Sequence, residues 1–228
     1  MKNAKYEMKN VLAVVLIICG FVSAQDRFVK PVDEASQDPS FLAFRTKLIS
    51  AAERKDANYI FSIVDPKIEL SFGGDAGIPA FKRIWKINSK NSEFWTAFLS
   101  VIRNGGGFMG EGSNKLKLFA APYTHSSWPE DLDGFEHHVI FGNNVNLRKS
   151  PDTNSEIVAK LSYNVVKIDP ETLPKSGKSE YPDWWQITTL GGLKGYVKRE
   201  FVRSPIDYRA GFEKKRGFWK MTFFIAGD

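Results

Sequence analysis

The sequence predicts an α+β fold: an N-terminal helical/α+β domain that a C-terminal β-hairpin completes, with an all-β barrel between them. Three observations lead to this prediction. Helical periodicity dominates residues 38–123, short strand-like segments fill residues 136–204, and two more strand-like segments occur in residues 205–228. A chain of 228 residues that is 43% hydrophobic has enough apolar material for two modest cores.

The first 24 residues have the features of a secretory signal peptide. Three lysines precede an apolar run over residues 11–22, which Ser23 and Ala24 follow. The run has about 12 residues, whereas a helix that spans a bilayer needs roughly 20. We therefore expect cleavage of residues 1–24 before Gln25, a periplasmic or secreted protein, and no permanent membrane anchor. A lipid-attached form through Cys19 is the alternative, although Ile18 stands where a lipid-attachment box has a small residue.

Charge and cysteine content narrow the classes of partner and chemistry. The formal net charge is +6, and removal of the signal takes away three lysines and Glu7, which leaves +4. Acidic and basic residues are well mixed, so we expect no nucleic-acid partner. Cys19 is the only cysteine and lies in the signal, so the mature chain has no disulfide and no thiol nucleophile.

Residues 38–123 predict several helices around one strand, after a polar linker over residues 25–37. An Asp-Pro pair marks the start of an amphipathic helix at Pro39, and Asp56 caps a shorter helix. The alternating segment KIELSF predicts a half-buried strand. Further helices are predicted from Pro79 onward and within SEFWTAFLSVIRN.

Residues 136–204 predict a small barrel of five to six strands, since turn residues separate short apolar segments: VIFG, VNLRKSP, EIVAKL, NVVKID, WWQITT and GYV. Beyond them, two strands flank KKRG and predict a hairpin with Gly217 in its turn. An isolated hairpin is marginally stable in water. We therefore expect it to join the sheet of KIELSF, so that residues 38–123 and 205–228 form one discontinuous domain.

The barrel segment resembles the bacterial SH3-like (SH3b) domain. The positions that carry the resemblance are Asn146, Leu147, Arg148, Pro151, Leu161, Trp185, Gly192, Gly195, Tyr196 and Val197. The resemblance implies a β-barrel module of secreted and envelope proteins, often found beside cell-wall enzymes. The mature chain also resembles secreted bacterial proteins that combine this module with an N-terminal helical region. Its flanking domain is loosely similar to the nuclear-transport-factor-like cone fold.

Two sets of residues are candidates for ligand binding. The barrel offers aromatic faces for peptides or sugars and cations for a carboxylate: Arg148, Trp184, Trp185, Tyr196 and Lys198. The adjacent tryptophans face opposite sides of a strand, so one belongs to the core and the other is the better ligand residue. The helical domain offers a second set, which would line a pocket in a cone fold: Phe72, Asp75, Trp85, Trp95 and Trp219.

Two glycine-rich segments have alternative interpretations. GGDAG, which contains Asp75, is either a turn or an anion cradle, and it lacks the residues of a phosphate loop. NGGGFMGEG, residues 104–112, is either a flexible loop or a lid over a pocket.

The sequence predicts no catalytic residues, no metal site and no cofactor. Three histidines and nearby carboxylates contain enough ligands for zinc, but their spacing fits no zinc motif; these are His125, Asp131, Asp133, Glu136, His137 and His138. A cysteine nucleophile and a G-x-S-x-G motif are missing from the mature chain.

We therefore expect a non-enzymatic protein of the cell envelope, whose barrel binds a peptide, a cell-wall fragment or a partner protein. The alternative is a cone-fold domain that binds or converts a small ligand, with the barrel as an accessory module. A purely structural role for the whole chain is a third possibility.

Overall fold

A computed structural model describes residues 25–110, 118–173 and 182–227. The signal peptide predicted over residues 1–24 lies outside the described residues. Within the described ranges, no helix combines the length and the apolar character that a membrane crossing requires.

The first two helices begin where the sequence supplies an aspartate as cap. Asp38 accepts hydrogen bonds from the backbone N–H groups of Ser40 and Phe41 at 2.7 and 3.2 Å, and Asp56 accepts one from Tyr59 at 2.9 Å. The helices are α1 (Pro39–Glu53), α2 (Ala57–Ile63), α3 (Gly77–Trp85), α4 (Phe94–Ile102) and α5 (Tyr123–Ser126).

Among the described residues, the strands form two sheets, one of five strands and one of seven. Those of the first are β1 (Val64–Glu69), β2 (Gly107–Met109), β3 (Leu118–Ala121), β11 (Arg209–Lys215) and β12 (Phe218–Ile225). Those of the second are β4 (His138–Ile140), β5 (Val145–Arg148), β6 (Ile157–Leu161), β7 (Val165–Ile168), β8 (Trp184–Thr189), β9 (Lys194–Lys198) and β10 (Val202–Arg203).

The C-terminal hairpin completes the first sheet, which confirms the predicted fold class. The strand order is β1-β12-β11-β3-β2, and β1 runs parallel to β12 while the other pairs are antiparallel. Arg216 and Gly217 form the two-residue turn, with φ values of 51° and 85°. Positive φ at both positions is typical of the turn type that matches strand twist.

Two predictions in this domain were wrong in detail. The strand expected over KIELSF begins earlier, at Val64, and ends at Glu69, so Phe72 lies beyond it and is 57% exposed. Pro66 is tolerated because β1 is an edge strand. Within the stretch predicted as a flexible loop or lid, Gly107–Met109 pairs with β3 as a sheet strand, because Phe108 packs into the core opposite Phe119.

Aromatic side chains fill the space between the helices and the first sheet. The ring centroids of Phe41 and Phe119 are 4.2 Å apart, and those of Phe94 and Phe98 are 4.8 Å apart. The phenylalanines of this core that are at most 1% exposed come from helices and from central strands alike: Phe41, Phe81, Phe94, Phe98, Phe119, Phe212 and Phe224.

The second sheet is the predicted barrel. Its strand order is β10-β4-β7-β8-β9-β5-β6, and alternate residues of these strands point into one apolar core. That core contains Ile140, Val145, Leu147, Leu161, Val166, Ile187 and Val197. The seventh strand, β10, is only two residues long and closes on β4.

The segment predicted as a linker, residues 25–37, is bound to both sheets. Val29 donates its backbone N–H to the carbonyl of Tyr163, and Val165 donates to the carbonyl of Arg27. Farther along, Gly106 and Val32 are joined by a backbone hydrogen bond of 2.9 Å. A small apolar cluster of Val29, Tyr123, Val139 and Val165 lies where the two units meet.

Candidate functional site

An open cleft on the barrel surface surrounds Trp184. It consists of two adjoining cavities of about 250 and 390 Å³, which share Thr153, Trp184, Lys198 and Glu200. We call it the Trp184 cleft. Its other lining residues are Asn143, Asn144, Val145, Asn146, Arg148, Asp183, Arg199 and Phe201.

The pairing of β8 with β9 brings Trp184 and Lys198 together. The two residues are direct cross-strand partners at one end of the antiparallel ladder. Side chains of such partners lie on the same face of the sheet, close enough to contact one ligand. Trp184 is half-buried, so part of its side chain packs against the protein and part is accessible to a ligand.

Arg148 is positioned by the turn that follows β5. Its Nη1 donates a 2.7 Å hydrogen bond to the carbonyl of Ser155, which lies across the turn. The turn itself is closed by a backbone hydrogen bond from Lys149 to Glu156 at 3.0 Å. A guanidinium has five N–H donors, so this structural bond uses only part of its capacity.

The structure separates the five predicted barrel residues into groups. Arg148, Trp184 and Lys198 line the Trp184 cleft together. Tyr196 pairs with Arg148 across β5 and β9, but it is not among the lining residues of the cleft. Trp185 faces the other side of β8, where it packs against the barrel core and lines a different cavity.

Charges of both signs occur in the Trp184 cleft. Lys198 Nζ lies 3.9 Å from Glu200 Oε1, and both side chains are substantially exposed. Together with the amide groups of Asn143, Asn144 and Asn146, they give the cleft donors and acceptors around one aromatic ring. Sequence reasoning missed these asparagines and Glu200; the run NNVN beside β5 was the available signal.

The predicted pocket of the helical domain is occupied by protein. Trp85, Trp95 and Trp219 are 3–8% exposed, and the Trp85 and Phe224 ring centroids are 4.9 Å apart. Trp219 donates from Nε1 to Ser40 Oγ at 3.0 Å. These indoles therefore belong to the aromatic core, whereas Phe72 is exposed.

Asp75 is part of a surface turn. Its Oδ1 accepts a hydrogen bond from Arg83 at 2.6 Å, and its backbone N–H donates to Ser71 Oγ at 3.1 Å. Its backbone carbonyl accepts from Leu70. The GGDAG segment is thus closed by its own groups, as the turn interpretation predicts.

The three histidines lie in different surroundings. Burial, followed by the positive charge of Arg209, lowers the pKa of His125 to about 4. His137 contacts the carbonyl of Asp133 at 3.0 Å, and His138 belongs to the barrel. Among the described residues, no group of three His, Cys, Asp or Glu side chains has a geometry that could hold a metal ion.

Comparison with known proteins identifies the barrel. A search of curated proteins found no match for the chain. Residues 143–203 match the family model of the bacterial SH3 domain, a range that spans β5 to β10 and includes every lining residue of the Trp184 cleft. The chain is therefore a protein with a bacterial SH3 domain, set between the two parts of an α+β domain.

Proposed function

We propose that this chain is a secreted binding protein of the cell envelope, and that its SH3 domain holds a cell-wall fragment or a peptide in the Trp184 cleft without catalysing a reaction. A bacterial SH3 domain suggests a binding module, commonly related to the cell wall. The observation that carries the proposal is that half-buried Trp184 lines both cavities of the cleft, together with Lys198, and that Arg148 lines one of them.

The chemistry of the cleft suits a ligand that is partly apolar and partly acidic. The Trp184 face packs against a sugar ring or an aliphatic side chain. Arg148 and Lys198 pair with a carboxylate of the kind that a wall peptide carries. The surrounding side-chain amides can form hydrogen bonds with hydroxyl and peptide groups of the ligand. A few polar contacts around the indole ring thus set the orientation of the ligand.

The absence of catalysis is part of the proposal. No histidine is among the residues that line the Trp184 cleft, and Thr153 is its hydroxyl side chain. General acid–base catalysis needs a group whose pKa lies near the operating pH and which reaches the reacting atom. The acid that both cavities share, Glu200, lies beside the ammonium group of Lys198.

Co-sedimentation with purified cell-wall sacculi tests the binding. The protein from residue 25 onward should pellet with sacculi, and Trp184→Ala should weaken this binding by about tenfold or more, because stacking on the indole is lost. Phe218→Ala is the matched control, since Phe218 is an aromatic residue, 73% exposed, on the turn of the distant hairpin. The control should bind like the parent protein.

Two results would overturn the binding proposal: no sedimentation of the parent protein, or equal sedimentation of the parent and Trp184→Ala. Soluble muropeptides released from the sacculi during incubation would contradict the absence of catalysis.

The proposed localisation is tested by cell fractionation with N-terminal sequencing. We expect the protein in the cell envelope, with Gln25 as its first residue. A cytoplasmic chain that keeps residues 1–24 would contradict it.

A further inference from the structure

A second cavity, of about 480 Å³, lies between the SH3 domain and the α+β domain. We call it the junction cavity. Its lining residues include His138, Trp185 and Arg203 from the SH3 domain and its flanking strand, and Asp207, Ala226 and Gly227 from the other unit. Its volume is in the range of small-molecule sites.

The junction cavity and the Trp184 cleft contain different tryptophans, although Arg199 and Glu200 line both spaces. Trp184 and Trp185 are consecutive residues of β8, so their side chains leave opposite faces of the strand. Each tryptophan lines one of the two spaces. A ligand of the junction cavity therefore contacts neither Trp184 nor Arg148.

Arg203 is the buried cation of the junction cavity. Its side chain is only 10% exposed, and burial lowers its pKa below the usual value. Nη2 donates to the carbonyl of Tyr208 at 2.7 Å, whereas Nη1 is 3.9 Å from Asp207 Oδ2, too far for a hydrogen bond. The buried Nε has no acceptor among the described residues. Such a guanidinium is incompletely satisfied and gains from another acceptor.

His138 adds a second polar group that lacks a partner. Its Nδ1 is buried and has no hydrogen-bond partner in the described part of the chain. Burial, reinforced by His137 and opposed by Asp207, lowers the pKa of His138 to about 4, so the ring is neutral near pH 7. A neutral imidazole has one donor and one acceptor nitrogen, which suits an oxygen or an amide of a ligand.

The charges of the junction cavity favour a ligand with one negative charge. Two arginines, Arg199 and Arg203, line it together with two carboxylates, Glu200 and Asp207. A dianion would lie close to both carboxylates, and like charges at such distances repel. Apolar surface is also present, since Phe141 and Trp185 belong to the wall.

From this arrangement we propose that the junction cavity binds a small monocarboxylate with an apolar part, such as a free amino-acid or peptide C-terminus, and that Arg203 pairs with its carboxylate. The pair would satisfy the guanidinium donors that the protein leaves unpaired, and charge-assisted pairs of this kind are among the stronger hydrogen bonds. Because the walls come from both units, the ligand would also hold the SH3 domain against the α+β domain.

Nuclear magnetic resonance with ¹⁵N-labelled protein tests the proposal. N-acetylalanine at millimolar concentration should shift the indole N–H signal of Trp185 and the Nε–H signal of Arg203 in a saturable way. N-acetylalaninamide, which has the same size without the charge, should not. Inorganic phosphate should act more weakly than N-acetylalanine, and an equal or stronger effect of phosphate would overturn the assignment to monocarboxylates.

Variants separate binding from folding. Arg203→Lys should weaken binding about tenfold to a hundredfold, since a lysine retains the charge but lacks the planar donor fork. Arg83→Lys, an exposed arginine far from the cavity, is the matched control and should bind normally. If Arg203→Lys unfolds, Ala226→Phe tests the same binding site. The larger side chain fills the cavity without removing a polar group, so the shifts caused by N-acetylalanine should disappear.

The proposal fails if N-acetylalanine gives no saturable shift, or if Ala226→Phe binds like the parent protein. It stands apart from the proposed function, since Trp184→Ala should leave the response to N-acetylalanine unchanged. A Trp184→Ala protein that no longer binds sacculi but still shows the Trp185 shift would therefore agree with both proposals.

Discussion

Asp65 shows how one residue links the helical domain to the final hairpin. Its side chain is only 9% exposed, Lys215 Nζ lies 2.9 Å from Oδ2, and the backbone N–H of Lys67 donates to Oδ1 at 2.8 Å. Burial raises the pKa of Asp65, but the hydrogen bonds from Lys215 and Lys67 and the nearby positive charges outweigh it, so the pKa is below its ordinary value. The carboxylate thus stabilises the folded state in its charged form.

This residue predicts a pH-dependent effect of Asp65→Asn. A carboxyl whose folded-state pKa is lowered contributes stability above its unfolded-state pKa, and that contribution is lost as the pH falls through the folded-state value. At pH 7 the variant should lose about 1 kcal/mol of unfolding free energy, because Lys215 is partly exposed. The difference from the parent should shrink below about pH 4.

Urea denaturation at several pH values checks the prediction. Asp131→Asn is the control, since Asp131 pairs with Arg27 at the surface, where both side chains are largely exposed. It should change stability little at any pH. A loss for Asp65→Asn that is the same at pH 3 and pH 7 would refute the role of the charge.

For single residues, strand geometry is readable from the sequence, whereas distances between elements are not. The opposite directions of Trp184 and Trp185 follow from strand geometry alone, while the pairing of Lys198 with Trp184 is seen only in the structure. Arg203 and His138 were not recognised as neighbours of Trp185. Their proximity depends on how β10 closes on β4 and on how the hairpin packs, and a sequence pattern with a period of two residues contains neither distance.

At the scale of an element, helix α1 depends on its N-terminal cap, Asp38. Asp38→Ala removes the acceptor for the N–H groups of Ser40 and Phe41, so the protein should lose about 1 kcal/mol of unfolding free energy. Glu53→Ala, at the other end of the same helix, removes only an exposed contact with Arg103 and should cost less. Chemical denaturation compares them, and equal losses would contradict the capping role.

Strand β11 contains a glycine that its partner strand requires. A methyl group at Gly211 would lie 2.0 Å from Cε1 of Phe223, its cross-strand neighbour on β12. Gly211→Ala should therefore destabilise the sheet by about 1–3 kcal/mol. Gly217→Ala has open space around it but a φ of 85°, so its cost of about 1 kcal/mol should come from backbone strain alone.

A double-mutant cycle distinguishes the two causes. In a Phe223→Ala background, Gly211→Ala should lose most of its cost because the clashing ring is gone, while Gly217→Ala should cost the same as before. Additive effects of Gly211→Ala and Phe223→Ala, measured by thermal unfolding, would show that the clash does not limit stability.

Elements with strong local signals were predicted from sequence, and those that depend on distant partners were not. The caps at Asp38 and Asp56 and the turn at Gly217 are local features, and the structure contains each of them. Strand β2 was missed because its glycines are typical of a loop, and only pairing with β3 makes it a strand. The start of β1 was misplaced because its parallel partner lies more than 150 residues away, an order of separation that local patterns do not encode.

For the whole molecule, the contacts of residues 25–37 predict cooperative unfolding of both units. Val29 is 3% exposed in the cluster where the units meet. Val29→Asp should place an uncompensated carboxylate there and separate the units. The parent should unfold in one transition, while the variant should give different midpoints by tryptophan fluorescence and by far-ultraviolet circular dichroism.

The control for Val29→Asp is the same substitution at an exposed valine. Val32→Asp changes the same residue type within the same segment, but Val32 is 38% exposed, so one transition should remain. Coincident midpoints in Val29→Asp would mean that the junction does not couple the units. The sequence did not predict this coupling, because a polar segment with few apolar residues indicates a linker unless its backbone hydrogen bonds to Tyr163 and Val165 are known.

The position of the final hairpin also has a consequence for biosynthesis. Strands β11 and β12 are flanked on both sides in the five-stranded sheet, yet they are synthesised after the helices and after the barrel strands. Domains generally fold as the chain emerges. The aromatic faces of the helices therefore stay uncovered until residues 209–225 have been synthesised. The described strands of the barrel are already complete at that point. A nascent chain stalled before Arg209 should thus contain a complete SH3 domain next to helices whose aromatic side chains lack the strands that cover them.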